Sequence, residues 1–191
     1  MTGKHEVRLA GFGGQGIVLS GHILGKAAAL FESKNAVFTQ SYGPEARGGS
    51  CSADVVISEE AVHYPKVGLP DVLVLMSQGA WVTYGNQLRS GGMLILDEDL
   101  VIPDRELDDV TVFRVPATRL AEEMGRKIVA NIVMLGAVGA LSGLVSYESL
   151  KKSVLTSIPP GTEELNVSAF DTGFEYGRGL LKEGGSGPIE R

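Results

Sequence analysis

The stretch Val7-Arg8-Leu9-Ala10-Gly11-Phe12-Gly13-Gly14-Gln15-Gly16 decides the fold. It begins as a short apolar run and ends in glycines at the spacing G-x-G-x-x-G, after which a helical pattern continues to about Phe31. This order predicts a strand, a tight loop and a helix, because glycine permits a tight turn and a close approach of backbone. The free N–H groups at the start of such a helix can receive an anion. The segment therefore predicts a Rossmann-like first strand-loop-helix unit.

The residues alone leave open what this glycine loop binds. A dinucleotide-binding fold also needs an acidic residue about 20 residues further on, at the end of the second strand. That strand ends in Thr39-Gln40-Ser41, which offers a ribose no carboxylate, so NAD or FAD is the least favoured ligand. The alternatives are an anion, such as CoA or a diphosphate group, and a structural or interface turn. The candidate cofactor-binding residues are Gly11, Gly13, Gly14, Gln15 and Gly16.

The rest of the chain alternates short apolar runs with helical patterns, which predicts an α/β fold. The predicted strands are 6–10, 36–40, 50–58, 71–76, 92–96 and 110–115, and the predicted later helices are 81–89, 120–125, 128–144, 147–157 and 163–182. Residues 41–49 are too few for a helical crossover, so the second and third strands are expected to be antiparallel. We expect a single three-layer domain over residues 1–182 with a mixed, mostly parallel sheet, and a flexible tail over residues 183–191.

A second motif lies between the second and third strands, in residues 39–50. It contains the turn signals Gly43-Pro44 and Gly48-Gly49 and carries a phenol, a carboxylate and a guanidinium. One interpretation is a solvent-exposed hairpin loop. The other is a loop that docks against an active site, with Arg47 facing a carboxylate or phosphate through two hydrogen bonds. The candidate residues facing an active site are Tyr42, Pro44, Glu45, Arg47, Gly48, Gly49 and Ser50.

Composition and spacing argue against several classes of function. The formal net charge is −6 and Lys and Arg form no long run, which argues against a nucleic-acid partner. The single cysteine, Cys51, cannot build an iron–sulfur cluster or a cysteine-rich zinc site. We predict no catalytic and no metal-binding residue, because no nucleophile–base set and no metal-ligand spacing occurs.

The sequence also favours a protein that is neither secreted nor embedded in a membrane. Residues 128–145 carry no charge but are near the lower length limit for a membrane span, so we expect one central buried helix. Its Asn131 is expected to form a hydrogen bond in the core or at an interface. Residues 1–6 are polar and show no signal-peptide pattern, so a cytoplasmic location is expected.

Four stretches together resemble the gamma subunit, or gamma domain, of 2-oxoacid:ferredoxin oxidoreductases. The first two are the loop segments 7–16 and 40–49, and their spacing makes the likeness fairly specific. Residues 131–137 resemble the central helix of that family, and residues 166–173 resemble its closing helix. The likeness covers roughly residues 5–178. The segment 44–49 looks more like the 2-oxoglutarate type than the pyruvate, branched-chain or indolepyruvate types.

The resemblance implies a chain that is part of an enzyme without carrying its catalytic groups. Such enzymes convert a 2-oxoacid and CoA to an acyl-CoA and CO₂, and pass the electrons to ferredoxin. In the family, thiamine diphosphate and Mg²⁺ lie between the alpha and beta subunits, and [4Fe–4S] clusters belong to beta and to a ferredoxin-like delta subunit. The alternative, from another class, is a free-standing nucleotide- or CoA-binding module.

Separated from alpha and beta subunits, a gamma subunit is expected to expose surface that the complex covers, and to form a two-fold homodimer. The helix face of residues 16–25 and the loop of residues 42–49 are the predicted contact surfaces.

Overall fold

The computed structural model describes residues 3–43 and 49–182, so the expected tail over residues 183–191 lies outside the described part of the chain. The strands are β1 (Lys4–Phe12), β2 (Asn35–Tyr42), β3 (Ser50–Ser58), β4 (Val72–Leu75), β5 (Met93–Asp97) and β6 (Thr111–Val115). The helices are α1 (Ile17–Lys26), α2 (Gln78–Tyr84), α3 (Ala117–Glu123), α4 (Ala130–Ser142), α5 (Tyr147–Leu155) and α6 (Glu163–Lys182). A π-helical turn (Ala27–Phe31) extends α1, and a 3₁₀ turn (Lys127–Val129) precedes α4.

All six strands form one sheet in the order β2-β3-β1-β4-β5-β6. β1, β4, β5 and β6 are parallel neighbours. β3 is antiparallel to both β1 and β2, so it is the one described strand that runs against the rest. The mixed, mostly parallel sheet and the antiparallel pairing of the second and third strands are therefore confirmed.

Apolar side chains cover both faces of the sheet, as a three-layer α/β domain requires. The larger cluster joins one sheet face to α1, α4, α5 and α6. The smaller cluster, on the opposite face, packs Trp81 of α2 and Val101 against Leu73, Leu75 and Leu94. Each Å² of apolar surface removed from water contributes about 25 cal/mol, so the burial of these two clusters stabilises the packing of the helices on both faces of the sheet.

The expectation of one central buried helix at residues 128–145 is confirmed by α4. Eleven of its thirteen residues are buried. It crosses α6 very closely: a Cβ on Gly136 would lie 2.2 Å from the Phe170 carbonyl oxygen, and one on Gly173 only 1.8 Å from that of Val133. In residues 3–43 and 49–182, no helix combines the length and apolar character needed to cross a membrane.

Two predicted helix starts are wrong by three residues, because polar side chains accept hydrogen bonds from backbone N–H groups earlier in the chain and so let these helices start there. α2 starts at Gln78 rather than 81, since Ser77 Oγ accepts the N–H of Ala80 at 3.2 Å and caps the helix. α3 starts at Ala117 rather than 120, since the buried Asp97 carboxylate accepts the N–H of Thr118 at 3.0 Å.

The predicted contact surface on the helix face of residues 16–25 is also wrong. Gly21 and Gly25 are buried inside the chain, against β2 and β3. A Cβ on Gly21 would lie 2.6 Å from Ala53 Cβ and 3.0 Å from Phe38 Cε2. These glycines let α1 approach its own sheet, so they leave no free small-residue face for another subunit.

Candidate functional site

The glycine loop leads from the end of β1 into α1 through two left-handed glycines. Gly14 has φ of 99° and Gly16 has φ of 77°, values that residues with a Cβ disfavour. Gly16 is the N-cap of α1 and accepts the N–H of Ser20 at 2.9 Å. The expected Rossmann-like strand-loop-helix unit is therefore present, with its turn made by these two glycines.

Both polar groups of the Gln15 side chain bond to backbone. Its Oε1 accepts the N–H of Phe12 at 2.9 Å, and its Nε2 donates to the carbonyl of Met76 at 2.6 Å. The N–H of Met76 donates in turn to the carbonyl of Ala10 at 2.9 Å. A Cβ on Gly11 would lie 2.4 Å from Gln15 Oε1, so glycine makes room for this side chain. Gln15 thus positions the loop and ties it to the end of β4.

The two sequence motifs meet at one edge of the sheet. The N–H of Gly13 donates to the carbonyl of Gly49 at 2.8 Å. Phe12 pairs with Ser50 at the end of the β1–β3 ladder, and the N–H of Gly43 donates to the carbonyl of Ser50 at 2.7 Å. The described ends of the second loop are therefore fixed directly beside the glycine loop.

Of the predicted residues of the second loop, the structure describes Tyr42, Gly49 and Ser50. Tyr42 is 62% exposed, Ser50 is exposed and Gly49 is buried. Phe12, on the neighbouring strand, is 44% exposed. The remaining predicted residues, Pro44, Glu45, Arg47 and Gly48, lie outside the described residues.

α1 and α4 begin side by side at this edge, joined through Asn131. Asn131 Nδ2 donates to the carbonyl of Gly16 at 3.3 Å, and Ser20 Oγ donates to the carbonyl of Asn131 at 3.4 Å. A Cβ on Gly16 would lie 2.4 Å from Asn131 Nδ2. The expected core hydrogen bond of Asn131 is confirmed, but its contact with the glycine loop was not predicted. A single amide in the first turn of an otherwise apolar helix was the available signal.

This pair of helix starts makes the edge attractive to an anion. Each helix N-terminus carries roughly half a positive charge, strongest within the first turn. The first turn of α1 has no acidic side chain, and its leading N–H groups have no carbonyl one turn earlier to bond. Arg126 and Lys127 are exposed just before α4, where Lys127 Nζ lies 2.9 Å from Glu122 Oε1.

The two neighbouring strand ends carry polar side chains with structural roles. Ser77 caps α2, as described above. Asp97 is fully buried and accepts the Thr118 hydroxyl at 2.7 Å and the N–H of Asp99 at 3.1 Å. Burial raises the pKa of the Asp97 carboxyl, and the hydrogen bonds from Thr118 oppose this only in part. The glycine loop and the described residues of the second motif are thus the remaining candidates at this edge for contact with a ligand or partner.

The geometry supports binding and positioning more than bond-making. Within the described ranges 3–43 and 49–182, no three His, Cys, Asp or Glu side chains come together as a metal site. A dinucleotide fold places its second strand parallel and next to the first, whereas here β3 separates β2 from β1. The arrangement therefore also disfavours NAD.

The fold and the carboxyl edge of the sheet define the class of protein. It is an α/β subunit with two joined loops beside two helix N-termini. The chain belongs to the pyruvate ferredoxin/flavodoxin oxidoreductase family, whose match extends over residues 6–176.

Two relatives are each more than half identical to this chain. The chain is 53% identical to 2-oxoglutarate synthase subunit KorC of Methanocaldococcus jannaschii over 179 residues, which are 93% of this chain and 96% of that one. It is 51% identical to the subunit of the same name from Methanothermobacter marburgensis, over 95% of this chain and 98% of that one.

Solved structures agree in fold. The gamma subunit of a keto/oxoacid ferredoxin oxidoreductase from Geobacter sulfurreducens superposes with a TM-score of 0.81 at 41% identity, over 91% of this chain and 98% of that chain. The expected resemblance to an oxidoreductase gamma subunit is thereby confirmed.

Proposed function

We propose that this chain is the gamma subunit of a 2-oxoglutarate:ferredoxin oxidoreductase. The complex would convert 2-oxoglutarate and CoA to succinyl-CoA and CO₂ and reduce ferredoxin. The choice of 2-oxoglutarate rests on the two KorC relatives, each more than half identical to this chain over nearly its whole length. Pyruvate and branched-chain or indole-containing oxoacids are the substrates to be tested against it.

The observation that carries the proposal is the hydrogen bond from Gly13 to Gly49. It joins the two loops whose sequences carry the family resemblance, although 36 positions separate the bonded residues along the chain (49 − 13). The bond fixes both loops at the carboxyl edge of the sheet, which is where ligands of α/β folds bind. A purely space-filling subunit would not need such a bond. The joined loops form the surface that we assign to the active-site cleft.

In this proposal the second loop encloses the cleft between alpha and beta subunits. Tyr42 and Ser50 would flank it, with Arg47 facing a carboxylate or phosphate. Excluding water from the cleft would strengthen the electrostatic interactions inside it. Thiamine diphosphate, Mg²⁺ and [4Fe–4S] clusters would be held by the other subunits, including a ferredoxin-like delta subunit. The proposed location of the complex is the cytoplasm.

The glycine loop is the proposed contact for an anion, with the diphosphate of CoA as the favoured one. Support comes from the uncharged first turn of α1 and from the α4 start beside it. Gln15 and Asn131 would act by holding the loop in shape, because their amides already bond to the backbone around it. A turn that only contacts another subunit is the competing role for this loop.

Reconstitution tests the proposal. The chain is mixed with its alpha and beta subunits, and oxoacids are screened with CoA and a viologen acceptor. We expect the chain alone to be inactive, and the mixture to reduce the viologen fastest with 2-oxoglutarate. A mixture that is equally active without this chain would contradict the proposal, and so would activity of the chain alone.

A further inference from the structure

We propose that β2 is an interface strand, through which two copies of this chain pair edge to edge around a two-fold axis. Among the described strands, β2 is the last at one side of the sheet, and β3 is its single described neighbour. It contacts β3 along its whole length, and α1 and the π-helical turn pack on one of its faces. Residues 39–42, in its second half, are all exposed.

The ladder fixes which backbone groups of β2 point outward. Antiparallel neighbours alternate between hydrogen-bonded and non-hydrogen-bonded pairs. The N–H of Gly43 donates to the Ser50 carbonyl, so the odd-numbered residues of β2 bond to β3. The N–H and C=O groups of the even-numbered residues therefore point to the open edge; these residues are Ala36, Phe38, Gln40 and Tyr42.

Within residues 3–43 and 49–182, this edge lacks the devices that prevent strands from pairing. Edge strands are usually protected by charged side chains, proline, bulges or short length. β2 has eight residues without a charge or a proline, and its register with β3 is continuous from Asn35 to Tyr42. β6, at the opposite side of the sheet, has five residues and carries Arg114. The contrast within one sheet indicates that the β2 edge is kept open for a strand.

A second copy of this chain is the occupant that the edge fits best. Antiparallel pairing centred on Thr39 places Phe38 opposite Gln40 of the second copy and Ala36 opposite Tyr42 of the second copy. Every outward-pointing residue then meets another outward-pointing residue, so all the free groups along the edge are satisfied. At the two-fold axis Thr39 lies opposite Thr39 of the second copy, and such Thr–Thr pairs across strands are favourable. No charge of β2 opposes a like charge.

Lysine substitutions provide a matched test. Thr39→Lys places two like charges opposite each other at the axis, which destabilises a strand pair. In the monomer the new lysine is tolerated, because position 39 is exposed and lies opposite Asp54 of β3. Thr83→Lys is the control: it makes the same change at an exposed position of α2, away from the edge.

Sedimentation equilibrium of the full chain should give a dimer, with a dissociation constant that Thr39→Lys raises about fivefold and Thr83→Lys leaves unchanged. Amide exchange of the unsubstituted chain by NMR gives a readout that does not depend on any variant. In the dimer the amides of Ala36, Phe38, Gln40 and Tyr42 should become as slow as those of Val37 and Thr39, and on dilution these four should become fast.

Three results would overturn this interface. They are a monomer at high concentration, a dimer that both lysine variants leave intact, and fast exchange at Phe38 and Gln40 within the dimer. Protection of this edge only after alpha and beta subunits are added would assign it to another chain, and would also overturn the proposal. The interface shares Tyr42 with the proposed cleft, but the two proposals are tested separately, because reconstituted activity can fail while the dimer stands, and the reverse.

Discussion

Gly13 donates its backbone N–H to the carbonyl of Gly49 at 2.8 Å, and this bond joins the two loops that identify the family. The glycine loop is held from the other side by Gln15, which bonds to Phe12 and Met76. The loop edge is therefore built from backbone contacts that a few side chains position, so substitutions there are expected to change its shape more than its chemistry.

Replacing the two left-handed glycines separately should distinguish backbone strain from crowding. An alanine at either position meets the left-handed penalty of about 1–2 kcal/mol. Among the described residues other than its chain neighbours, a Cβ at Gly14 meets no heavy atom within 4 Å, whereas at Gly16 it lies 2.4 Å from Asn131 Nδ2. Urea denaturation should show a clearly larger loss of unfolding free energy for Gly16→Ala than for Gly14→Ala. Equal losses would show that Asn131 yields freely.

Gly13→Val should disturb the docking of the second loop. The described left-handed positions in the loop are Gly14 and Gly16, so Gly13 matters through its close approach to Gly49. We expect the variant to fold and to assemble poorly with alpha and beta subunits, measured by co-elution. Normal assembly together with normal turnover would show that this glycine is incidental.

Removing the Gln15 amide should loosen the loop. Gln15→Ala leaves the carbonyl of Met76 and the N–H of Phe12 without these partners, which typically costs about 1–3 kcal/mol where the groups stay buried. Glu123→Ala, at an exposed position of α3, is the control and should stay within about 0.5 kcal/mol. The measurement is the unfolding free energy in urea; indistinguishable values for the two variants would contradict the positioning role of Gln15.

Arg47→Ala should lower turnover or assembly and leave the melting temperature nearly unchanged. The expectation rests on the guanidinium in a glycine-flanked polar loop, whose fork suits a carboxylate or phosphate. Arg178→Ala is the control, because Arg178 is half exposed on α6 and pairs with Glu175. A reconstituted complex with Arg47→Ala that is complete and fully active would refute this role.

Acid titration should reveal the buried Asp97. Burial raises the pKa of its carboxyl above the unfolded value, so the folded chain holds this proton to higher pH than the unfolded chain does. The contribution of Asp97 to stability is therefore complete below its unfolded pKa and is lost as the pH rises through its folded pKa. Asp97→Asn should remove that fall from the curve of unfolding free energy against pH, whereas Asp108→Asn, at an exposed position, should retain it.

Local patterns predicted most of the elements, and the failures have physical causes. The third strand was predicted at its observed bounds, 50–58, because its turn signals and alternating pattern are local. The starts of α2 and α3 depend on Ser77 and Asp97, which lie before the helical patterns themselves.

The arrangement of the site was less predictable. The helix face of residues 16–25 was predicted as a contact between subunits, since a glycine spacing indicates a close approach without naming the partner. For Gly21 and Gly25 the partner is the chain's own sheet. The bond between Gly13 and Gly49 follows from β3 inserting beside β1, a long-range pairing that no local pattern encodes.

Hydrogen exchange tests most directly whether the joined loops form the surface that meets the catalytic subunits. Exchange is followed in residues 11–16 and 42–50 of the free chain, kept dilute to prevent pairing of its copies, and again after alpha and beta subunits are added. We predict that both segments become protected on mixing. Protection confined to residues 97–109, with both loops exchanging as before, would place the interface on another side of the sheet and contradict the account.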